Sequence, residues 1–200
     1  MTLPAPFIHD TAIVDPPVQI GNGTKIWHFC HVCGGARIGS NVVLGQNGYV
    51  AGSVVIADGC RIQNNVSLYD GVVLDNDVFV GPSVVFTNVT NPRASINRHA
   101  EFKGTRVCRG ATLGANSTIV PGLTLGAFCF VAAGAVVTED VPAHAMVAGV
   151  PARQIGWVSE EGNRLQTDAD TEHLVCVVSG RYFRLTEAGL EAVNSAAQGE

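Results

Sequence analysis

Charge, aromatic residues and long apolar stretches are all scarce in this sequence of 200 residues. Charged residues make up 14% of it and aromatic residues 6%, and the formal net charge is −5. The 12 Lys and Arg residues are scattered, so the basic footprint of a nucleic-acid-binding protein is missing. No apolar run reaches the about 18 residues of a transmembrane helix, and the N-terminal segment does not resemble a signal peptide. We therefore expect a cytoplasmic protein with neither a nucleic-acid nor a membrane partner.

The six cysteines do not form a clear disulfide or zinc framework. Cys30 and Cys33 have the Cys-x-x-Cys spacing, which is typical of zinc and redox sites. In the repeat described next, Cys30 points inward and Cys33 does not, so their sulfur atoms are poorly placed to share a metal. We expect these cysteines to serve in packing, and we expect no metal site.

A six-residue period runs through most of the sequence. An aliphatic or large apolar residue returns at every sixth position up to Phe86, and the period resumes at Val107 after an interruption at residues 92–106. All twenty positions are apolar. They are Ile8, Val14, Ile20, Ile26, Val32, Ile38, Leu44, Val50, Ile56, Ile62, Leu68, Leu74, Val80, Phe86, Val107, Leu113, Ile119, Leu125, Val131 and Val137.

A period of six fits neither an amphipathic α-helix nor the alternation of a half-buried strand. It fits a short strand and a turn, repeated so that three units close one triangular coil with the apolar side chains inside. Twenty units then make about seven coils, and the prism is on the order of 30 Å long because stacked strands lie about 4.8 Å apart. The sequence therefore predicts an all-β protein, a parallel β-helix.

The period also divides the chain. Residues 1–142 are predicted to form the β-helix with a protruding loop at 92–106, and residues 143–200 a small C-terminal extension. Within the extension, apolar runs on both sides of Ser179-Gly180 predict a hairpin. Thr186 is predicted to cap a short helix through Leu190 and Ala192. The loop leaves a regular scaffold and rejoins it in register, so we expect function there.

Residues 18 positions apart lie on neighbouring coils, so surface columns follow from the sequence. One such column carries Gln46 and Asn64, with Asn65 beside them. Asn residues often only satisfy the backbone of turns. The same amides are also suited to hydrogen-bond a nucleotide and a sugar, and we interpret all three as candidates for substrate binding.

A second column places Asn88 above Asp70, with Tyr69 next to it, at the point where the loop begins. The loop itself is rich in polar and charged side chains. An Arg side chain matches a carboxylate or a diphosphate with two parallel hydrogen bonds; a solvated loop surface is the alternative. With Tyr69, the substrate-binding candidates of this region are Asn91, Arg93, Arg98, Glu101 and Lys103.

Two segments resemble a known enzyme family. They read IQNNVSLYDGVVLDNDVFVGPSVVFTNVTNPRA and EFKGTRVCRGATLGANSTIVPG. They resemble hexapeptide-repeat nucleotide-sugar N-acetyltransferases that acetylate a 3-amino group, especially that of UDP-2-acetamido-3-amino-2,3-dideoxyglucuronate in surface-polysaccharide (lipopolysaccharide) biosynthesis. The resemblance covers residues 8–157 and implies a left-handed coil and a homotrimer with sites between subunits. Relatives with the same FTNVTNPRA segment act on dTDP-3-amino-6-deoxyhexoses, so both nucleotides stay open.

The resemblance implies acetyl-CoA as cosubstrate and an amine as acceptor. A sugar amine needs less help from a base than a hydroxyl does, and positioning alone supplies several kcal/mol. We expect Asn88 to orient the amine or the acetyl carbonyl and Asp70 to accept a hydrogen bond from the incoming ammonium. His99 is the alternative, because sugar O-acetyltransferases on this scaffold use a histidine base.

The resemblance also implies a path for CoA along the later coils. The pantetheine arm is expected beside small residues, and the phosphates near two arginines, one of them in the AGVPAR segment that hexapeptide acyltransferases share. The residues are Ala115, Ala133, Gly134, Arg109 and Arg153.

Two other functions occur on this scaffold. A zinc carbonic anhydrase needs three converging histidines, and the six histidines here include no His-x-x-x-x-His pair. A non-catalytic structural β-helix would have no use for the charged loop or for AGVPAR. Bound zinc with CO2 hydration would support the first function, and a lack of acetyl-CoA binding the second.

Overall fold

Parallel stacking of very short strands forms the body of the molecule. The computed structural model describes residues 3–168, 173–186 and 189–193. Within a coil, each strand ends after the apolar residue of its hexad, and a tight turn redirects the chain onto the next face. The pairs Ile26↔Leu44 and Leu44↔Ile62 illustrate the register, in which 18 residues separate stacked strands.

The strands are numbered in chain order. Before the insertion they are β1 (Phe7–Ile8), β2 (Ile13–Val14), β3 (Gln19–Ile20), β4 (Lys25–Ile26), β5 (His31–Val32), β6 (Arg37–Ile38), β7 (Val43–Leu44), β8 (Tyr49–Val50), β9 (Val55–Ile56), β10 (Arg61–Ile62), β11 (Ser67–Leu68), β12 (Val72–Leu74), β13 (Phe79–Val80) and β14 (Val85–Phe86). A 3-10 helix, η1 (His99–Glu101), lies in the insertion. After it come β15 (Thr105–Val107), β16 (Thr112–Leu113), β17 (Thr118–Ile119), β18 (Thr124–Leu125), β19 (Phe130–Val131), β20 (Val136–Val137), β21 (Ala145–Ala148) and β22 (Arg153–Trp157), then β23 (Gln166–Thr167), β24 (Leu174–Val175), β25 (Tyr182–Thr186) and β26 (Gly189–Val193).

Every third strand joins the same sheet, so the chain winds around three faces. The first sheet has the order β1-β4-β7-β10-β13-β16-β19-β21-β22, the second β2-β5-β8-β11-β14-β17-β20 and the third β18-β15-β12-β9-β6-β3. All neighbours in these sheets are parallel except β21 and β22. The predicted all-β parallel coil is therefore confirmed, but the solenoid has about eight turns and not the predicted seven, because β21 continues the first sheet beyond the last hexad. The left hand of the coil and the division at residue 142 stay predictions.

The hexad residues fill the interior as the sequence predicts. Of the twenty hexad positions, all those from Ile26 onward are buried. Of the first three, Ile8 is 40% exposed, and Val14 and Ile20 are only half-buried. These three belong to the first coil, which has no coil beneath it. Stacking thus supplies the burial, and the N-terminal end of the prism is its least covered part.

The insertion leaves and rejoins the prism without disturbing the register. Strand β12 pairs with β15 through Leu74↔Val107, so the loop lengthens the usual 18-residue spacing between stacked strands at this point. The loop closes at its root, where the Lys103 N–H donates to the Asn88 carbonyl over 2.9 Å. The rigid coils therefore fix the position of both loop ends.

The C-terminal region forms a small antiparallel sheet, β23-β24-β25-β26. The predicted hairpin around Ser179-Gly180 is confirmed, because β24 pairs antiparallel with β25. The predicted short helix after Thr186 is wrong: residues 189–193 form strand β26, which pairs along its length with β25. Pairing with a neighbouring strand satisfies the same backbone groups that a helix would. Among the described residues, no helix has the length and apolarity needed to cross a membrane.

Candidate active site

Three edges separate the faces of the prism, and the candidate residues lie on different ones. The first edge, after the strands of the first sheet, carries Gln46 and Asn64. The second edge, after the second sheet, carries Asp70 and Asn88. The third edge, after the third sheet, carries Arg109. At about 3.3 Å per residue, the hexad from Asn64 to Asp70 spans at most roughly 20 Å, so the first two edges flank one face.

At the second edge, the carboxylate of Asp70 is held from the coil below. The pairing Ser67↔Val85 places Asn88 one coil above Asp70, as the 18-residue spacing predicts. The Ser53 hydroxyl donates to Asp70 Oδ1 over 2.6 Å, and the Ser53 N–H donates to the same oxygen over 3.3 Å. Both contacts use Oδ1, so the other carboxylate oxygen stays available.

Asn88 is half-buried at the root of the loop. Its carbonyl is used by Lys103, but within the described residues its side-chain amide makes no hydrogen bond. An amide with free donors and a free acceptor, fixed on a rigid coil beside a carboxylate, is suited to orient a polar ligand.

The charged loop residues divide into paired and unpaired groups. Arg98 contacts both carboxylate oxygens of Glu101 at 2.8 Å, and its buried Nε has no partner within the described chain. Among the residues that the structure describes, the Arg93 guanidinium contacts only the carbonyl of Pro92, over 3.1 Å. The Arg98 charge is therefore already compensated, whereas that of Arg93 is available to a ligand.

Two open recesses border the loop. One, of about 490 Å³, lies against the loop from Val89 to Phe102 and includes His99, whose exposed ring lies 4.9 Å from that of Phe102. The other, of about 520 Å³, lies at the loop root and is lined by Thr90, Asn91, Glu101 and Lys103. The second recess thus brings three of the predicted substrate-binding residues together near Asn88.

Tyr69 is 41% exposed on the face next to Asp70, and its ring lies 5.9 Å from that of Tyr49. Its hydroxyl makes no hydrogen bond within the described residues. It therefore remains a candidate for ligand contact.

At the first edge, the amide column is partly used by the fold itself. Asn64 Oδ1 accepts the backbone N–H of Gln46 over 2.9 Å, and Asn65 Oδ1 accepts the Nδ2 of Asn47 over 3.1 Å. Asn65 also has φ of 61°, a left-handed turn conformation that Asn tolerates. These hydrogen bonds explain why amide side chains occur along the first edge. The side chains of Gln46, Asn64 and Asn65 are nevertheless exposed.

Higher on the same edge, small residues replace the amides. Ala115, Ala133 and Gly134 continue the column, and Gly134 N–H donates to the Ala115 carbonyl over 2.9 Å. An alanine side chain offers no acceptor to the coil below, so the N–H groups of Ala115 and Ala133 have no partner within the described residues. This stretch of edge presents backbone donors to a ligand.

The two arginines predicted for CoA lie apart from each other. Arg109 lies on the third edge, with its guanidinium 5.0 Å from the centre of the Phe128 ring, and that ring stacks on His144 at 5.2 Å. Arg153 begins β22 at the C-terminal end of the prism, 3.9 Å from Glu139. Within one chain, Arg109 does not share an edge with Ala115, so the predicted CoA residues are not all brought together.

Sequence reasoning missed Ser53, the residue that holds Asp70. A signal was present, because Ser53 lies 17 positions before Asp70 and therefore one coil away on the same edge. The N–H of Gly71 donates to the Ser53 hydroxyl over 3.0 Å, which orients that hydroxyl towards Asp70.

The solenoid, its edge columns and its single large loop define a hexapeptide-repeat transferase, and comparisons with known proteins agree. The family model described as bacterial transferase hexapeptide (six repeats) matches residues 17–52. The hexapeptide repeat of succinyl-transferase matches residues 35–70 and 104–139. These matches fall on the coils on both sides of the loop.

A relative matches most of the chain. The dTDP-3-amino-3,6-dideoxy-alpha-D-galactopyranose 3-N-acetyltransferase of Aneurinibacillus thermoaerophilus is 39% identical over 160 residues, which are 80% of this chain and 82% of that protein. This chain therefore belongs to the hexapeptide-repeat nucleotide-sugar N-acetyltransferases, as the resemblance predicted.

Solved structures share the fold. The UDP-N-acetylglucosamine acyltransferase of Francisella novicida has a TM-score of 0.58 at 16% identity, covering 79% of this chain and 68% of that one. The acetyltransferase domain of PglB from Neisseria gonorrhoeae FA1090, in complex with acetyl coenzyme A, has a TM-score of 0.50 at 21% identity, covering 75% and 57%. At these identities the likeness concerns the fold alone.

Proposed function

We propose that this protein transfers the acetyl group of acetyl-CoA to the 3-amino group of a nucleotide-linked amino sugar, with Asn88 and Asp70 at the reacting centre. The observation that carries the proposal is the unpaired amide of Asn88, fixed above Asp70 at the root of the loop. The 39% identity to a 3-N-acetyltransferase over most of the chain supports the same reaction.

The chemistry needs a neutral amine close to the thioester carbonyl. The nitrogen lone pair forms the new C–N bond, the C–S bond breaks, and the proton lost by nitrogen neutralises the departing thiolate. The free oxygen of Asp70 is suited to accept a hydrogen bond from the incoming ammonium, which releases one proton to the solvent before the neutral amine attacks. The amide of Asn88 is suited to fix the amine or to donate to the carbonyl oxygen, where negative charge develops.

The acetyl donor is proposed to bind along the first edge. The free N–H groups of Ala115 and Ala133 suit the carbonyl oxygens of a pantetheine arm, and Arg153 suits a phosphate. The acetyltransferase domain of PglB from Neisseria gonorrhoeae, which shares the fold, binds acetyl coenzyme A, and this supports acetyl-CoA as the donor. Arg109 lies on another edge, so its predicted role requires a second chain.

The trimer is part of this proposal. A homotrimer with sites between subunits would bring the third edge of one chain to the second sheet of its neighbour, and so supply Arg109. It would also cover apolar surface in a chain with only 14% charged residues. We place the enzyme in the cytoplasm, where acetyl-CoA is made, and in surface-polysaccharide assembly.

Two sugar nucleotides each have an observation in their favour. The identity to the Aneurinibacillus enzyme favours a dTDP-3-amino-3,6-dideoxyhexose. The uncompensated charge of Arg93 favours a uronate, as in UDP-2-acetamido-3-amino-2,3-dideoxyglucuronate. We rank the dTDP sugar first, because Arg93 is also suited to a diphosphate, which both substrates contain.

A thiol-release assay with acetyl-CoA tests the reaction and the ranking together. We expect release with the dTDP-3-amino-6-deoxyhexose and a lower kcat/KM with the UDP-3-amino uronate. The matched control is the corresponding 3-hydroxy sugar nucleotide, which should release no thiol above background. Acetylation of the hydroxy sugar but of neither amine would contradict the N-acetyltransferase assignment and favour an O-acetyltransferase that uses His99.

A further inference from the structure

A second group of chemically active side chains lies on the second sheet near the N-terminal end of the prism. Strands β2 and β5 pair through Ile13↔His31 and Val14↔Val32. Asp15 and Cys33 follow these strands at equivalent positions, so they are neighbours on successive coils. His31 points outward from the same strand pair.

The donor atoms of these three residues converge. His31 Nε2 lies 2.8 Å from Asp15 Oδ2, and the carboxylate oxygen, the ring nitrogen and the Cys33 sulfur all lie within 4.8 Å of one another. The side chains of His31 and Asp15 are 44% and 52% exposed, and Cys33 is half-buried. The group is therefore open to solvent on one side.

We propose that Asp15, His31 and Cys33 form a binding site for a divalent transition-metal ion of the Zn²⁺ and Co²⁺ type, with water or another ligand in the fourth position. The donors are one carboxylate oxygen, one imidazole nitrogen and one thiolate sulfur. That set suits zinc and cobalt, whereas Mg²⁺ and Ca²⁺ prefer oxygen donors alone.

The geometry needs only a small adjustment. With zinc bonds of about 2.0 to 2.3 Å, the donors of a tetrahedral site lie about 3.3 to 3.6 Å apart. The His31 and Asp15 atoms would separate slightly. The gaps to the Cys33 sulfur, which are at most 4.8 Å, would close by about 1 Å through rotation of the exposed Asp15 and His31 side chains. When the metal–sulfur bond forms, the Cys33 thiol passes its proton to the solvent.

An ion pair between His31 and Asp15 alone is the competing interpretation, and it leaves the thiol with its hydrogen bond to Tyr49. In the structure the Cys33 Sγ donates to the Tyr49 hydroxyl over 3.5 Å, a contact that is weak because a thiol is a poor donor. The sequence pairs Cys33 with Cys30, yet Cys30 points into the core and only 1% of it is exposed. The proposed partners of Cys33 are therefore His31 and Asp15, and not Cys30.

The site is separate from the proposed acetyl-transfer centre. Cys33 and Tyr69 are two coils apart, or roughly 10 Å along the prism. A metal here would tie the first coil to the second at the end of the prism where Ile8 and Ile13 remain 40% and 59% exposed. We expect it to stabilise that end, because an ion that binds only the folded chain raises the unfolding temperature.

Cobalt titration of the chelator-treated full chain tests the proposal, because a Co²⁺–thiolate bond gives a charge-transfer absorption band. We expect the band in the wild type and in Cys108→Ser, a matched control at another half-buried cysteine, and its loss in Cys33→Ser. Zn²⁺ should displace Co²⁺ and raise the unfolding temperature of the wild type.

Substitution of the exposed ligand Asp15 gives a second variant, in which a loss of metal binding is not caused by a folding defect. Asp15→Asn keeps the size of the side chain and should weaken Co²⁺ binding more than about tenfold while leaving the unfolding temperature of the metal-free chain nearly unchanged. No band in the wild type, or a band that survives Cys33→Ser, would overturn the proposal and leave the ion pair as the full account. These readouts do not depend on acetyltransferase activity.

Discussion

Asn88, proposed to act with Asp70, and His99, the alternative catalytic residue, have different surroundings. Asn88 lies on the rigid coil next to Asp70, whereas His99 lies on the exposed 3-10 helix of the loop. A group that stabilises the transition state must be held in position before the reaction. The coil satisfies this requirement better than the loop.

The first prediction concerns these two residues. Asn88→Ala should lower kcat about 10²- to 10³-fold, the usual effect of losing a polar group that stabilises the transition state. His99→Ala should change kcat little. Both proteins should keep the wild-type unfolding temperature, because His99 is exposed and the Asn88 amide makes no hydrogen bond within the described residues. Steady-state kinetics with the preferred sugar nucleotide checks this. Inactive His99→Ala with nearly normal Asn88→Ala would reverse the roles.

At the level of single residues, the sequence predicts columns but not hydrogen bonds. The 18-residue spacing correctly places Asn88 over Asp70. It does not reveal that Glu101 compensates the charge of Arg98, or that the side-chain oxygen of Asn64 accepts a hydrogen bond from the Gln46 backbone. Both contacts depend on side-chain rotamers. Whether these residues bind substrate remains a prediction.

The loop is the element that distinguishes this prism from a plain stack of coils. Its ends meet at Asn88 and Lys103, and β15 pairs with β12 immediately afterwards. Hydrogen bonds of the coils therefore persist without the loop. We therefore expect the loop to be dispensable for folding, and we propose that its recesses hold the sugar.

Replacement of residues 90–102 by a short Gly-Ser turn is therefore expected to preserve the fold. Loop-closure entropy changes by less than about 1 kcal/mol for such a shortening. The kcat/KM for the sugar nucleotide should fall at least about a hundredfold, because positioning is lost. Affinity for acetyl-CoA, measured by calorimetry, is the internal control and should not change. A shortened enzyme with normal kcat/KM would remove the loop from the site.

Among the secondary-structure elements, those in the part of the sequence with the six-residue period are the most predictable. Each coil contacts only its neighbours, so a strict hexad specifies strand, turn and register together. The region after Trp157 has no period, and there the sequence correctly predicts a hairpin from its turn residues but wrongly predicts a helix at residues 190–192. That segment pairs with β25 along its whole length, and this pairing, which the local sequence does not reveal, decides its conformation.

For the whole molecule, the buried thiols of the prism link stability to pH. Burial raises the pKa of Cys129 to about 12 and that of Cys60 to about 11, because the interior does not solvate a thiolate. The reference pKa of an unperturbed thiol is 9.0. A group whose pKa is raised by folding contributes full stability below the unfolded value and loses it as pH rises towards the folded value.

The unfolding temperature should therefore fall as pH increases from about 9 to 11, because the unfolded chain ionises its thiols and the folded chain does not. Cys129→Ala should have a lower unfolding temperature at pH 7, since it leaves a small cavity, but a shallower decline above pH 9. Val137→Ala is the matched control: it also creates a cavity in the core and carries no proton, so its decline should parallel that of the wild type. Differential scanning calorimetry across this pH range makes the comparison. If Cys129→Ala and Val137→Ala decline with the same slope, the buried thiol is not the source of the alkaline sensitivity, and exposed groups must account for it.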